Sequence, residues 1–473
     1  MTPRAVVALV IACMLGACSD PEDERPDLVL VVVDTLRADH LSTYGYGRPT
    51  SPGLDALARD GVVFLDNTAQ SSWTLPSVAS YMTGRHLFVN AQRLPDGVPS
   101  LAERLSKAGY ETAAFLGNPA VSTAGNYDRG FDHFIGRETT GNETWDAADL
   151  HTVFAQWQAE HPRDGRPRFL YLHFMDPHFP YEPRKEVALD GEVLLRDDVL
   201  EAWSPVVTAA GAGSPIYETF NENRLEILDE IDRYDQEIAS MDAVLASLLG
   251  TLGSRERLVV VASDHGEGLW DHEHHTPIVE RKPAEERTLS EVFFRDHSYH
   301  LYQELIRTPL IVSGPGFPTG LSEDVPVENV DIAPTLLRAA GLPDDPSFDG
   351  RALQDVVAGT ARPRPAIFSH CNEATSVRVN GWKLVFPTPT GDSFGMPIQL
   401  YEVSADQHER TNRAADPAVV QTLRNLIRLR EDAARSFTLY DSQAVGVDDA
   451  AQRAVLKELG YLGGGGSGKG DGR

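Results

Sequence analysis

Acidic and histidine side chains stand directly after two of the most apolar runs in the chain. Asp34 follows the run DLVLVVV, and Asp264 and His265 follow RLVVVAS. Polar groups at the end of a buried strand are costly unless they have partners. Two carboxylates and an imidazole are suitable ligands for a divalent cation. These residues therefore predict a site for Mn²⁺, Zn²⁺ or Ca²⁺, although an aspartate at a strand end can also be a helix N-cap or a turn residue.

A threonine opens the segment TLPSVASYMTG, which has helix signals at both ends. Pro76 lies in its first turn and Gly84 closes it, as expected for a helix. Thr74 can therefore be the helix N-cap. A helix N-terminus also suits the binding of phosphate or sulfate. A metal-coordinated Thr74 would lose its proton more easily and would then be a nucleophile.

Histidines are concentrated in one part of the chain. Of 15 histidines, six lie in one window, namely His265, His272, His274, His275, His297 and His300. Such clusters favour metal binding or proton transfer over packing. Ester hydrolysis needs a general acid near the leaving oxygen, and imidazole suits that role near neutral pH. We expect one or two of the six to act in this way.

The elements that position these residues alternate between strand and helix signals. Strands are predicted at 27–34, 168–176 and 257–267, and helices at 51–61 and 222–251. This alternation predicts an α/β sandwich with a mostly parallel sheet. In such a sheet, ligands bind beyond the carboxyl ends of the strands. Asp176 and His178 follow the second strand just as Asp34 follows the first, so we expect the polar residues to converge at one edge.

The character of the sequence changes after about residue 343. Short alternating runs with an Asn380-Gly381 hairpin signal predict antiparallel strands, followed by a helix at about 416–437. The expected organisation is given in chain order: a signal segment 1–17, an acidic tether 18–27, a catalytic domain 28–343, a smaller C-terminal subdomain 344–462 and a disordered glycine-rich tail 463–473.

The charge balance restricts the partners of the chain. With 42 basic and 70 acidic residues, the formal net charge is −28, which argues against nucleic acid as a bulk partner. A small anionic substrate would have to be attracted by local positive charge, such as that of a metal ion.

The N-terminus has the features of an export signal. MTPR is followed by a short apolar run ending in LGAC, and this run is too short to span a bilayer. LGAC resembles the lipobox of bacterial lipoproteins, which implies lipid attachment at Cys18 and a place on the periplasmic side of the envelope. Ser19 favours the outer membrane by the same resemblance. An ordinary secretory signal is the alternative. Cys371 would then be the one remaining cysteine, which leaves no intrachain disulfide.

Taken together, these segments resemble the sulfatase family of the alkaline-phosphatase superfamily. The resemblance runs in order over about residues 27–463 and is carried by DLVLVVVDTLRADHLSTYGYGRPTSPGLDALARDGVVF, WTLPSVASYMTGR, HFMDPHFPY, RYDQEIASMD, VVVASDHGEGL, HLYQELIRTPLIV and VDIAPTLLRAAG. It implies an alkaline-phosphatase-like three-layer sandwich with a mostly parallel central sheet and a small antiparallel C-terminal sheet.

The resemblance also implies roles for individual residues. Asp34, Asp264 and His265 match the metal ligands, and Thr74 stands at the nucleophile position, where it also contacts the metal. Asn118 and His178 match residues near the transferred group. His297 matches the leaving-group side, with His300 as the alternative if the register slips.

Two features depart from the sulfatase pattern. Sulfatases carry Cys or Ser followed by x-Pro-x-Arg, and that residue is oxidised to formylglycine. Here Thr74 cannot be oxidised in this way, and Val78 replaces the arginine. In a sulfatase, the sulfated aldehyde hydrate collapses and expels sulfate, but a sulfated threonine has no second hydroxyl for this step. Water can, in contrast, attack a phosphorylated threonine at phosphorus. The segment 276–296 also places the DHGEG motif farther from the HLYQEL motif than is usual in the family. This segment is either a specificity loop or a neutral insertion.

The leading hypothesis is a metal-dependent hydrolase of phosphate esters, either phosphodiesters or phosphonates, acting through a covalent phosphothreonine. Three alternatives stay open: a sulfatase, a transferase to a hydroxyl acceptor, and a non-catalytic metal-binding homologue. A second metal, if present, would use Asp176, His178 and His297.

Overall fold

The structure is a computed structural model that describes residues 23–87, 92–136, 145–183, 189–191, 193, 203, 207–208, 211–273, 283, 286, 293–388 and 397–436. Its strands are β1 Asp27–Val33, β2 Val62–Phe64, β3 Asn67–Thr68, β4 Glu111–Leu116, β5 His133–Gly136, β6 Arg168–Phe174, β7 Arg257–Ser263, β8 Gly268–Glu273, β9 Phe293–Asp296, β10 Leu310–Ser313, β11 Leu321–Glu323, β12 Val327–Glu328, β13 Ile367–His370, β14 Ala374–Val379, β15 Trp382–Pro387 and β16 Gln399–Glu402. Its α-helices are α1 Pro52–Arg59, α2 Thr74–Thr83, α3 Leu101–Lys107, α4 Ala147–Glu160, α5 Pro215–Gly250, α6 Gln303–Ile306, α7 Ile332–Ala339, α8 Leu353–Val357 and α9 Val420–Ser436.

Eight strands form the central sheet, in the order β11-β2-β10-β7-β1-β6-β4-β5. β1 pairs in parallel with β6 and β7, and β4 pairs in parallel with β5 and β6. β10 runs antiparallel to both of its neighbours, β2 and β7. The predicted mostly parallel sheet is confirmed, with β10 as its reversed strand.

The strand β1 shows why the sheet lies between two helical layers. All seven of its residues are buried, as expected for a strand covered on both faces. Leu28, Leu30 and Val32 pack into one core together with residues of α2, α3 and α7. Val29 and Val31 pack into a second core with residues of α1, α4 and α5. The predicted three-layer sandwich is therefore confirmed.

The long helix α5 begins earlier than predicted. The sequence predicts it from residue 222, but it begins at Pro215. The side chain of Ser214 accepts a hydrogen bond from the Tyr217 N–H, and proline is favoured at the first helical position. No helix within the described ranges is both long and apolar enough to cross a membrane.

The C-terminal strands β13 to β16 form an antiparallel sheet, as predicted. Asn380 and Gly381 join β14 to β15 with φ values of 49° and 78°, the left-handed conformation that a tight hairpin turn requires. The small sheet is attached to the catalytic part, because the His370 N–H donates to the Gln70 carbonyl at 2.8 Å. Leu353 and Val356 still pack in the core of the large sheet.

Candidate active site

The parallel strands at the centre of the large sheet bring polar residues to one edge. Val33, the last residue of β1, is in register with Ser263 of β7 and Phe174 of β6. Asp34 therefore emerges beside Asp264, the residue that follows β7. The convergence that the sequence predicts at the carboxyl edge is present for these two aspartates.

His265 completes a compact group with the two aspartates. All three side chains are fully buried. The His265 Nε2 atom lies 3.4 Å from Oδ1 of Asp34 and 3.5 Å from Oδ2 of Asp264. Its Nδ1 atom lies 2.9 Å from the Gly266 carbonyl oxygen, which can only accept a hydrogen bond. The proton is thus on Nδ1, and Nε2 directs its lone pair toward the carboxylates.

The electrostatics of this group separate its two carboxylates. Burial opposes ionisation of Asp34, but the neighbouring imidazoles, with His173 nearest to its Oδ2 atom, favour the carboxylate and lower its pKa. Burial, together with the neighbouring Asp34, raises the pKa of Asp264 well above the ordinary value. Burial also lowers the pKa of His265 to about 3, so this imidazole is neutral.

The unpaired atoms of the group test whether these residues suit a metal ion. Oδ1 of Asp34 and Oδ2 of Asp264 are buried and accept no hydrogen bond from any described residue. Buried carboxylate oxygens without donors are costly, and here they lie beside the lone pair of a neutral imidazole. This donor set fits a divalent cation, so Asp34, Asp264 and His265 are able to hold one.

A further candidate ligand, His173, is missing from the sequence prediction. Its Nε2 atom lies 3.6 Å from Oδ2 of Asp34, and ligand atoms of His173, Asp34 and Asp264 all lie within 4.8 Å of one another. Its Nδ1 atom is 2.8 Å from the Tyr171 hydroxyl. The available signal is a lone histidine in the otherwise apolar run of β6.

Thr74 lies at the centre of this arrangement, as predicted. Its Oγ1 atom is fully buried, 3.4 Å from Oδ2 of Asp34 and 3.3 Å from Nε2 of His265. Helix α2 begins at Thr74 itself, and the N-cap position belongs to Trp73. The hydroxyl therefore contacts the candidate metal ligands from the first turn of the helix, and the alternative of a simple N-cap is wrong.

Asn118 binds both central residues through one amide group. Its Nδ2 atom donates to Oδ2 of Asp34 and also lies 3.3 Å from Oγ1 of Thr74. Its Oδ1 atom accepts a hydrogen bond from the Ala120 N–H at 2.7 Å, which fixes the orientation of the amide. The structure thus places Asn118 where the resemblance implies it, next to the nucleophile position.

Two of the predicted histidines, His178 and His297, lie next to each other near His265. The ring centroid of His297 lies 4.5 Å from that of His265 and 5.0 Å from that of His178. The Nδ1 atom of His178 lies 2.6 Å from the Phe179 carbonyl oxygen. His297 and His178 therefore border the site. His300, the alternative, packs against the rings of Phe294 and Tyr302.

Glu267 is a second residue that the sequence prediction omits. It is fully buried, and its Oε1 atom lies 3.1 Å from Nδ1 of His297. Burial opposes protonation of His297, but the charges of Asp296 and Glu267 outweigh it and raise the pKa of His297 to about 9. The signal for Glu267 is its place in the DHGEG motif.

The carboxylate of Asp176, which the sequence predicts as a ligand of a possible second metal, has a partner at the beginning of α4. Its Oδ2 atom accepts a hydrogen bond from the Ala147 N–H at 2.8 Å, at the beginning of α4. Ligand atoms of Glu267, Asp296 and His297 instead lie within 4.8 Å of one another.

Some predicted features lie outside the described residues. These are Cys18 with the whole segment 1–22, the histidines His274 and His275, the tail 463–473, and the segment 276–296 apart from 283, 286 and 293–296. The last four residues of that segment form β9, which pairs antiparallel with β8.

Comparison with known proteins agrees with this geometry. The family model described as Sulfatase matches residues 26–342, more than half of the chain. The choline-sulfatase of Rhizobium meliloti (strain 1021) is 23% identical, over 92% of this chain and 91% of its own. Many further relatives match, including an arylsulfatase K of Gallus gallus.

Two solved structures illustrate the likeness in fold. One, described as a 2-O GAG sulfatase, has a TM-score of 0.65 and 21% identity, over 91% of this chain and 96% of that one. The phosphonate monoester hydrolase of Silicibacter pomeroyi has a TM-score of 0.60 and 21% identity, over 88% and 97%. The family match, the shared sandwich and the acidic carboxyl-edge site agree, and the chain therefore belongs to the sulfatase family of hydrolases.

Proposed function

We propose that this sulfatase-family hydrolase cleaves phosphate esters, either phosphodiesters or phosphonates, with Thr74 as the nucleophile. The observation that carries the proposal is the threonine hydroxyl itself. It is buried among Asp34, Asn118 and His265, at the position where a sulfatase needs an oxidisable cysteine or serine.

Other parts of the expected formylglycine site also differ. Val78, in place of the expected arginine, is fully buried in the hydrophobic core. Cys371 lies in the C-terminal sheet region, where its thiol donates to the Tyr299 carbonyl oxygen at 3.7 Å. A threonine phosphate can be hydrolysed by attack of water on phosphorus, so this site supports phosphoryl chemistry without a formylglycine.

The chain supplies the groups for a two-step displacement. Oγ1 of Thr74 attacks phosphorus in line, the phosphorus–oxygen bond to the leaving alcohol breaks, and His297 gives that oxygen a proton. Water then attacks phosphorus in this adduct and gives a proton to His297, the bond between phosphorus and Oγ1 of Thr74 breaks, and a phosphate monoester or a phosphonate is released as the threonine hydroxyl is restored. A divalent cation held by Asp34, Asp264 and His265 would make the hydroxyl more acidic and offset charge on the phosphoryl group.

Asn118 and His178 take positioning roles in this mechanism. The Asn118 amide is oriented by its bond with Ala120 and directs its N–H groups toward Thr74 and Asp34, so a nonbridging oxygen of a phosphoryl group on Thr74 could take over one of these contacts. His178 borders the same space with an Nε2 atom that is buried and makes no hydrogen bond to a described residue.

The comparisons support two substrate classes. The fold likeness to a phosphonate monoester hydrolase is compatible with phosphate or phosphonate esters. Relatives with sulfatase names are more numerous, and they favour sulfate ester hydrolysis as the second candidate. Transfer to a hydroxyl acceptor and a non-catalytic role are the remaining alternatives.

Substrate preference and Thr74 variants test the proposal together. Purified protein with Mn²⁺, Zn²⁺ or Ca²⁺ should hydrolyse bis-p-nitrophenyl phosphate faster than p-nitrophenyl sulfate. Thr74→Val, which keeps the shape but removes the hydroxyl, should lower turnover by at least about 10³-fold. Thr74→Ser, the matched control, should keep part of the activity. A faster sulfatase reaction, or an active Thr74→Val protein, would contradict the proposal.

We also propose that the chain is anchored by a lipid on Cys18, on the periplasmic side of a bacterial outer membrane. The support is the LGAC segment and the acidic tether after it. Expression with an alkyne-tagged fatty acid should label the wild type but not Cys18→Ser. Equal labelling of both proteins would remove the anchor from the account.

A further inference from the structure

A cavity of about 680 Å³ lies between the large sheet and the C-terminal sheet, away from the site described above. Its volume is within the range of about 300–1,000 Å³ that is usual for sites of small organic ligands. Residues of both parts line it, among them Asp66 after β2, Arg307 before β10 and Arg378 in β14. None of the candidate catalytic residues contributes to its wall.

The charge of this cavity is opposite to that of the chain as a whole. Its wall contains four arginines, Arg307, Arg351, Arg364 and Arg378, and one acid, Asp66, in a protein whose formal net charge is −28. Like charges that converge on one space repel each other unless anions lie between them. The cavity is therefore a local positive region on an acidic protein.

Two of these guanidinium groups have carboxylate partners. Arg378 makes two hydrogen bonds with Asp66, of 2.6 and 2.9 Å. Arg364 binds Glu328 and Asp331, which lie behind the cavity wall. The charges of these two arginines are compensated within the protein.

The other two arginines bind backbone carbonyl groups in the described part of the chain. Arg307 donates to the Leu65 carbonyl at 3.1 Å. Arg351, whose side chain is over nine-tenths buried, donates to the carbonyls of Arg362 and Pro326 at 2.9 and 2.6 Å. A carbonyl dipole does not neutralise a full charge, and the carboxylate near Arg351, Asp331, is shared with Arg364. Moreover, the buried Nε atoms of Arg351 and Arg364 have no hydrogen-bond partner among described residues.

We propose that this cavity is a binding site for a phosphate or sulfate group, carried by an organic molecule or free in solution. Guanidinium groups pair with tetrahedral oxyanions through parallel, charge-assisted hydrogen bonds. The rest of the wall includes Val325, Pro326, Pro363 and Pro365, which would contact a carbon skeleton. The proposal does not depend on the chemistry of Thr74.

The position of the cavity makes it a second site and not an extension of the first. In the central sheet, β2 is three strands away from β1, which corresponds to about 14 Å at the usual strand spacing. An anion in the cavity would join the catalytic part to the C-terminal sheet, because both contribute arginines.

A variant of the hairpin residue Asn380 tests the proposal without disturbing the buried arginines. Asn380 lines the cavity in the left-handed conformation, which aspartate also tolerates. Asn380→Asp therefore adds a negative charge to the wall with little change in shape. Asn126→Asp is the matched control, because Asn126 is also left-handed, at φ 60°, and is not part of the cavity.

The measurement is isothermal titration of the full chain with inorganic phosphate, inorganic sulfate, glucose 6-phosphate and glucose 6-sulfate. Each is titrated with Mn²⁺ and with a chelator, since the acidic catalytic site should not bind anions without its cation. We expect binding that survives the chelator, becomes about tenfold weaker in Asn380→Asp and is unchanged in Asn126→Asp. If the sugar esters bind more tightly than the inorganic anions, the ligand is an organic ester. If they bind equally, the ligand is the free oxyanion. The proposal is overturned if no anion binds in chelator, or if both variants bind like the wild type.

Discussion

Two pairs of buried carboxylates in this protein have opposite surroundings. Glu328 and Asp331 are fully buried and have partners for their oxygens, including the guanidinium group of Arg364 and backbone N–H groups. Asp34 and Asp264 are equally buried, yet each keeps an oxygen that accepts no hydrogen bond from a described residue. The first pair is stabilised by the chain itself, whereas the second leaves oxygens that a bound cation would satisfy, and this difference separates a structural network from the candidate site.

The largest effect is expected from Asp264→Asn. The change removes a candidate metal ligand. Loss of a residue that only hydrogen-bonds to a metal ligand already lowers activity by up to about 10²-fold, so turnover should fall by more than that. Elemental analysis should show metal loss. When both proteins are compared without metal, the variant should unfold at the same or a higher denaturant concentration than the wild type, because two buried carboxylates no longer repel each other. A variant that keeps its metal and activity would show that Asp264 is structural.

Glu328→Gln should have the reverse profile. It leaves Arg364 buried with less compensation, which should lower the free energy of unfolding by about 3 kcal/mol. Metal content and the turnover of the folded protein should be retained. Urea denaturation measures the loss, and Asp324→Asn, at an exposed acid in the same region, is the control. Unchanged stability would remove the distinction between the two pairs.

The loss of activity in His297→Ala should depend on the leaving group of the substrate. A poor leaving group such as methanol needs protonation, so hydrolysis of its esters should fall by about 10²-fold. Hydrolysis of p-nitrophenyl esters should fall much less, because that leaving group departs without a proton. His300→Ala should not produce this split. An equal loss for both kinds of ester would assign His297 a different role.

The smallest effect on activity is expected at Glu237, another buried acid, which accepts one backbone hydrogen bond, from the Glu182 N–H at 2.6 Å. Burial and then the charge of Asp176 raise its pKa from 4.5 to about 8. Between these values the folded protein holds a proton that the unfolded chain releases, so this group makes stability fall as the pH rises. Glu237→Gln should remove that fall, of about 4 kcal/mol, in denaturation measured from pH 4.5 to 8. Parallel curves for the two proteins would contradict the assignment.

The sequence predicts most of the sheet and the centre of the site for one physical reason. Apolar runs that end in polar residues identify both the buried strands and their carboxyl edge, and this was enough for Asp34, Asp264 and His265. The contact of Thr74 with these residues was predicted from the family resemblance, because helix signals alone do not show which residues lie next to the helix N-terminus.

Other features depend on tertiary contacts that a linear pattern does not contain. His173 lies inside a strand, and its function follows from the register of β6 with β1. Glu267 is important because it contacts His297, which is thirty residues away in the sequence. The antiparallel pairing of β10 with β2 and β7 is likewise not encoded by the apolar pattern of that strand. The arginines of the second cavity come from separate segments of the chain, which meet when the C-terminal sheet packs on the large one.

The most direct test of the central claim is mass spectrometry of the enzyme quenched during turnover of bis-p-nitrophenyl phosphate. The account predicts that a phosphoryl-containing adduct is found on the peptide that carries Thr74, with fragmentation placing it on the threonine oxygen. The adduct should be absent from Thr74→Val under the same conditions. Steady turnover without any adduct on this peptide in rapid-quench samples, or an adduct at another residue, would contradict the account.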